Sequence, residues 1–129
     1  MKIEHFALNV AQPRAMSDWY EKHLGFKVVK KQDKSPYMTF LADDSGNVMI
    51  EIYNNPLAPI MDFKEQHPLV VHLALVSEDP AMDRDRLIAA GSELISDDVL
   101  EDGSHLVMLR DPWGFALQLC KRAKPMLKD

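Results

Sequence analysis

Ile3-Glu4-His5-Phe6-Ala7-Leu8-Asn9-Val10 and Val70-Val71-His72-Leu73-Ala74-Leu75-Val76 are two versions of one strand. A shift of 67 residues carries His5 onto His72 and also Glu51 onto Gln118. The second pair closes two further matched runs, Asp43-Asp44-Ser45-Gly46-Asn47-Val48-Met49-Ile50-Glu51 and Asp111-Pro112-Trp113-Gly114-Phe115-Ala116-Leu117-Gln118, the latter turn being one residue shorter. Each of the two strands is followed shortly by a proline, Pro13 or Pro80, that opens a helix-like stretch. Self-similarity on this scale means one supersecondary unit used twice, and it decides the architecture before any local propensity does.

Outward from these runs the order of elements follows. Residues 2 to 10 alternate as a strand. After Pro13, the residues Met16, Trp19, Tyr20, His23 and Leu24 recur at spacings of three and four, an amphipathic helix that Gly25 can end in a left-handed cap. Strands are expected near 26–32, 37–42 and 48–54, separated by Lys34-Ser35-Pro36 and Asp43-Asp44-Ser45-Gly46. The second half repeats the order, with a strand at 69–77, a helix from Asp79-Pro80 to Ala90 stopped by Gly91, and strands near 93–97, 104–110 and 115–121. The expectation is a single α+β domain over 1–129 made of two βαβββ modules, about 1–54 and 69–122. Residues 55–68 break periodicity and form a connector whose Leu57, Ile60, Met61 and Phe63 pack somewhere.

Size and charge narrow the function. Two half-repeats of roughly 60 residues would each bury little surface alone, so a chain of 129 residues is expected to share one core between them. A net charge of −5 argues against nucleic acid as a partner, because phosphate recognition needs a basic face. Lys27, Lys30, Lys31 and Lys34 read as a solvated strand and turn. No segment reaches the roughly 20 apolar residues that span a bilayer, and Met1-Lys2-Ile3-Glu4-His5 has no signal-peptide pattern, so no membrane partner is expected. The single cysteine, Cys120, cannot form an internal disulfide, which suits a cytoplasmic location. Phosphate loops, zinc-binding cysteine pairs, His-Glu-x-x-His helices and nucleophile elbows are absent from the sequence.

Strand alternation then sorts side chains by face. Phe6, Leu8 and Val10 oppose His5, Ala7 and Asn9, while Val71, Leu73 and Leu75 oppose His72, Ala74 and Val76. Val48, Ile50 and Ile52 oppose Met49, Glu51 and Tyr53; Leu117 and Leu119 oppose Ala116, Gln118 and Cys120. All four polar residues fall opposite the bulky apolar set. Two short helices cover only one face of an eight-stranded sheet, so the other face is expected to be solvated or curled into a cup. Two imidazoles, a carboxylate and an amide oxygen there could hold a divalent ion with positions left open for water or substrate. His23 and His67 read as ordinary histidines, His105 as a surface residue, and Cys120 as a buried, inert thiol.

On these residues the chain resembles the vicinal oxygen chelate superfamily, which includes glyoxalase I, bleomycin-resistance proteins and extradiol dioxygenases. The resemblance also rests on Trp19-Tyr20-Glu21-Lys22-His23-Leu24-Gly25-Phe26, Ile50-Glu51-Ile52-Tyr53-Asn54 and Arg110-Asp111-Pro112-Trp113-Gly114-Phe115. It implies paired βαβββ modules curled into a U-shaped cleft, a divalent metal (nickel, cobalt, zinc, manganese or iron) on His5, Glu51, His72 and Gln118, and often a homodimer. A glyoxalase I-like lyase would act on a hemithioacetal of methylglyoxal and glutathione, or on another small α-oxo compound or thiol adduct, through an enediolate.

One position departs from that pattern. Position 118 commonly carries a glutamate that both binds metal and carries the proton, and the Gln118 amide cannot take up and return a proton at neutral pH. Glu51, at the pseudo-symmetric position, is the candidate catalytic base instead. Two alternatives stand beside the lyase. An iron(II) extradiol-type dioxygenase would use two histidines and one carboxylate. A bleomycin-resistance-like binder would sequester a small molecule without catalysis, in a cleft lined by Asn9, Tyr37, Met49, Tyr53 and Met108.

Overall fold

A computed structural model describes residues 1–127. The chain divides into two compact units, the second beginning at Asp62, and each carries one βαβββ module of an α+β, glyoxalase-like fold. In the first, β1 (His5–Asn9), α1 (Pro13–Leu24), β2 (Lys27–Lys31), β3 (Thr39–Ala42) and β4 (Met49–Tyr53) follow in order. They form a four-stranded sheet in the order β1-β4-β3-β2, with β1 parallel to β4 and the other pairs antiparallel. In the second unit a short 3-10 turn at Phe63–Glu65 precedes β5 (Leu73–Val76), α2 (Pro80–Ala89), β6 (Glu93–Val99), β7 (His105–Arg110) and β8 (Ala116–Lys121). Their order, β5-β8-β7-β6, and their mixed pairing repeat those of the first. The expected eight strands are thus two sheets of four.

Local chemistry explains the boundaries. Pro13 and Pro80 occupy the first turns of their helices, where a missing N–H costs nothing. Gly25 ends α1 with φ 73°, the left-handed conformation in which a side chain would be strained. Asp79 caps α2 by accepting from the Met82 N–H at 3.0 Å. Three strands differ most from expectation, and the first, β1, begins at His5 rather than at residue 2. β5 begins at Leu73 rather than 69, because residues 67–70 close a turn, with Val70 N–H donating to the His67 carbonyl at 2.9 Å. β6 extends to Val99, held by β7 through the Val99–His105 register.

The bulky faces lie under the helices except at Phe6, which is half exposed. Met16 and Tyr20 of α1 are fully buried together with Leu41 of β3 and Ile52 of β4, and Leu8 and Ile50 are nearly so. In the second unit Leu87 of α2 is fully buried, as are Val107, Leu109 and Leu117. Each such side chain contributes about 1.5–3 kcal/mol by leaving water, so the face that each sheet turns to its helix is fixed. A one-residue slip would put His5 and Glu51 into the core and Leu8 and Ile52 outside it. β2, Lys27-Val28-Val29-Lys30-Lys31, is exposed throughout, and its lysines discourage pairing by another chain at that edge. No helix among the described residues is long and apolar enough to cross a membrane.

Candidate functional site

In the first unit, register places Ala7 abreast of Glu51 on one side and Phe40 on the other. Met49 stands abreast of His5 and Tyr53 abreast of Asn9. All face away from the core side of the sheet, as the alternation predicts. His5 reaches diagonally over the small Ala7, so that its Nε2 lies 3.6 Å from Glu51 Oε1. Its other nitrogen, Nδ1, is 2.9 Å from Glu4 Oε1. A carboxylate can only accept, so Nδ1 is the donor in the contact with Glu4. The edge of the ring meets Phe40, with centroids 5.3 Å apart and planes at 89°. Glu51 is mostly shielded, its side chain 15 % exposed.

The second unit presents the matching set. Gln118 lies between Ala74 and Met108, as Glu51 lies between Ala7 and Phe40. His72 stands two residues before Ala74. Its Nδ1 is 2.9 Å from the Pro68 carbonyl oxygen, an acceptor again, so here too Nδ1 is the donor. The Cys120 thiol donates to Gln118 Oε1 at 3.3 Å, and burial pushes that thiol above its ordinary range, which keeps it protonated and unreactive.

These donors suit a divalent ion. Bonds of about 2.1 Å at a tetrahedral angle set neighbouring donors roughly 3.4 Å apart, close to the 3.6 Å between His5 Nε2 and Glu51 Oε1. A metal-binding histidine ordinarily gives its second N–H to a carboxylate or carbonyl oxygen, and both histidines do. Among the described residues no group of three or more His, Cys, Asp or Glu side chains is gathered at one point; the pairing seen is that of His5 with Glu51 in the first unit.

The remaining sequence candidates are placed as follows. Asn9 spends its side chain on the connector, donating through Nδ2 to the carbonyls of Asn55, Ala58 and Pro59 at 3.1–3.2 Å and accepting from Asn55 N–H at 2.7 Å. Tyr37 lies off the strands that carry Glu51, beneath the Arg14 guanidinium, which sits 4.6 Å from its ring centroid. Both line a cavity of about 480 Å³ at the start of α1. His105 is tied by Nε2 to Asp97 at 2.6 Å, and Arg84 binds the other oxygen of that carboxylate. His105 shares the face of Val107 and Leu109 under α2, away from Gln118.

Sequence reasoning missed Phe40, although its alternation with buried Leu41 in Thr39-Phe40-Leu41-Ala42 carries the signal. It also missed Glu4 and Pro68. No sequence pattern marks a backbone carbonyl as the partner of an imidazole.

The sequence profile of the Glyoxalase/Bleomycin resistance protein/Dioxygenase superfamily matches residues 2–119. No curated protein matches the chain in sequence. Among solved structures, SMU.1112c is similar at 26 % identity with a TM-score of 0.72, over 94 % of this chain and 98 % of that one. TnmS3, an antibiotic binding protein from Streptomyces sp. CB03234, is similar at 18 % identity and a TM-score of 0.71, over 93 % and 94 %. A glyoxalase I mutant from Zea mays is similar at 20 % identity and a TM-score of 0.73, over 95 % of this chain but 46 % of that one.

Proposed function

The chain belongs to the glyoxalase/bleomycin resistance protein/dioxygenase superfamily, and we propose that within it this protein is a metal-dependent lyase or isomerase of the glyoxalase I kind. The observation that carries the reading is the His5–Glu51 pair, with Nε2 and a shielded carboxylate 3.6 Å apart on the face opposite the core. His5, Glu51, His72 and Gln118 would hold the divalent ion, nickel, cobalt, zinc, manganese or iron, and that ion supplies Lewis-acid polarisation of two neighbouring substrate oxygens.

Glu51 then has a defined task. Its carboxylate takes the proton from the carbon next to the carbonyl and returns it to the neighbouring carbon, so the hemithioacetal is isomerised to a hydroxyacyl thioester with no external oxidant or reductant. Gln118, an amide, cannot exchange that proton and serves as a neutral donor. Met49, Tyr53 and Phe40 supply apolar surface beside the His5–Glu51 pair in the first unit, and Met108 does so beside Gln118 in the second, each suited to the body of a small substrate such as a glutathione or other thiol adduct. A homodimer is part of the proposal.

The test is metal analysis of the purified protein, followed by an assay of hemithioacetal isomerisation, from methylglyoxal and glutathione, with the metal found. Stoichiometric metal and thioester formation are expected. Metal without that activity overturns the lyase reading, and iron with oxygen-consuming catechol cleavage replaces it by the dioxygenase.

A second reading is favoured by the aromatic contact of His5 with Phe40 and by the likeness to an antibiotic binding protein. In it the same face holds a small apolar molecule without turnover. It takes precedence if the protein carries no divalent metal and its melting temperature is unmoved by nickel, cobalt, manganese, iron or zinc.

A further inference from the structure

The connector that sequence reads as aperiodic is built as a strap in its second part, and one side chain fixes it. Arg110 closes β7 and turns its guanidinium onto the strap. Nη1 donates to the Phe63 carbonyl at 2.9 Å and to the Gly114 carbonyl at 3.0 Å, while Nη2 donates to the Gln66 carbonyl at 2.9 Å. The Phe63 ring meets Phe115 edge to face, with centroids 5.0 Å apart. From Gln66 the chain runs directly into the 67–70 turn, closed by Val70 N–H on the His67 carbonyl and steadied by Leu69 N–H on His67 Nδ1 at 3.1 Å. Pro68 occupies the second position of that turn, where its fixed φ is favoured. Its carbonyl is the oxygen that His72 Nδ1 meets at 2.9 Å.

We propose that Arg110 is a positioning residue for His72: by clamping residues 63–66 it places the Pro68 carbonyl that selects the Nδ1–H form of His72 and leaves Nε2 free to bind a metal. The proposal rests on the reading of His72 as a ligand. Its chemistry is specific to a guanidinium. Three carbonyl oxygens on two chain segments need a planar fork of several N–H groups, and an ammonium on a flexible stem cannot span them equally well. The two histidines are also held differently. His5 leans on the exposed Glu4 side chain, with Glu4 74 % exposed, whereas the partner of His72 is backbone seated by Arg110.

The experiment uses the full chain with Arg110→Ala, Arg110→Lys and His72→Ala, read by long-range 1H–15N correlation of the imidazole nitrogens in metal-free protein and by calorimetric titration with Zn²⁺. In the unchanged protein His72 carries its hydrogen on Nδ1. Arg110→Ala is expected to turn this into a tautomer mixture, leave the His5 nitrogens as they were, and weaken Zn²⁺ binding by about 10–100-fold, the usual cost of losing a partner behind a ligand. Arg110→Lys should fall between the two, and it decides the question if Arg110→Ala does not fold. A folded Arg110 variant in which His72 keeps the Nδ1–H form overturns the proposal. Zn²⁺ affinity unchanged in His72→Ala overturns the ligand reading instead, and the tautomer signals still decide the positioning role.

Discussion

His5 and Glu51 meet diagonally across two parallel strands, with His5 Nε2 3.6 Å from Glu51 Oε1, although the residue directly abreast of Glu51 is Ala7. The diagonal works because Ala7 is small enough for the His5 ring to pass over it and because Glu4 holds the far side of the ring. Gln118 has an alanine, Ala74, in the equivalent place. Both units therefore set a small alanine beside the polar residue of the neighbouring strand.

Glu51→Gln separates metal holding from proton transfer. The amide keeps an oxygen donor and the side-chain shape but cannot carry a proton. Turnover of the hemithioacetal should fall by about 10²–10⁴-fold, the usual worth of a positioned general base, while the bound metal measured by elemental analysis persists. Gln118→Ala should instead weaken metal binding. A Glu51→Gln protein with full turnover and bound metal removes Glu51 as the base.

Asn9 is expected to matter to stability because its side chain serves four backbone groups of residues 55–59. Asn9→Ala should cost about 1–3 kcal/mol in urea denaturation, since partly buried amide and carbonyl groups lose their partner. Asn9→Asp is the sharper test. The carboxylate cannot donate and faces three carbonyl oxygens, so its loss should equal or exceed that of alanine. A neutral Asn9→Asp would show that the connector holds without this clamp.

The repeat made the fold legible, because a shift that superposes prolines, strand patterns and His-to-Glu/Gln spacing leaves little choice of order or type. Face assignment followed from Leu8, Ile50 and Ile52 against His5 and Glu51, and burial divides them that way. What escaped the sequence depends on the path of the backbone. The strand expected from residue 69 starts at Leu73 because His67 and Pro68 make a turn, and alternation among Leu69, Val70 and Val71 cannot reveal a hydrogen bond made by a carbonyl. Asn9 faces the same way as Glu51, but face alone did not show that its donors are spent on the connector.

Gly114 should tolerate no side chain. Its φ is 90°, and an added Cβ would stand 2.2 Å from Lys64 Cγ and 3.0 Å from Lys64 N. The lysine side chain can move, but its backbone nitrogen belongs to the seated strap and cannot move cheaply. Strained backbone and overpacking together predict a loss of about 2–4 kcal/mol for Gly114→Ala, read from the urea midpoint at unchanged slope. Gly46→Ala, where a Cβ would meet nothing within 4 Å at φ 68°, carries only the backbone cost and should lose less. Equal losses would mean that the approach of Lys64 is immaterial.

Asp97 gives the second unit a pH dependence of predictable sign. Hydrogen bonds from His105 and Arg84 hold its carboxyl below the ordinary carboxylate range. A carboxyl whose folded value is depressed contributes stability that is fully present above its unfolded value and is lost as pH falls through the folded one. Asp97→Asn should therefore be less stable than the unchanged protein at neutral pH, and the gap should close as pH falls below about 4. Because the pair is only partly shielded, with 24 % of the Asp97 side chain exposed, salt should narrow the same gap at neutral pH. Melting temperatures of the two proteins across an acid series, each at low and high salt, check both trends. A gap that widens on acidification would mean that Asp97 gains its proton more readily in the folded chain than in the unfolded one, contrary to its contacts with Arg84 and His105.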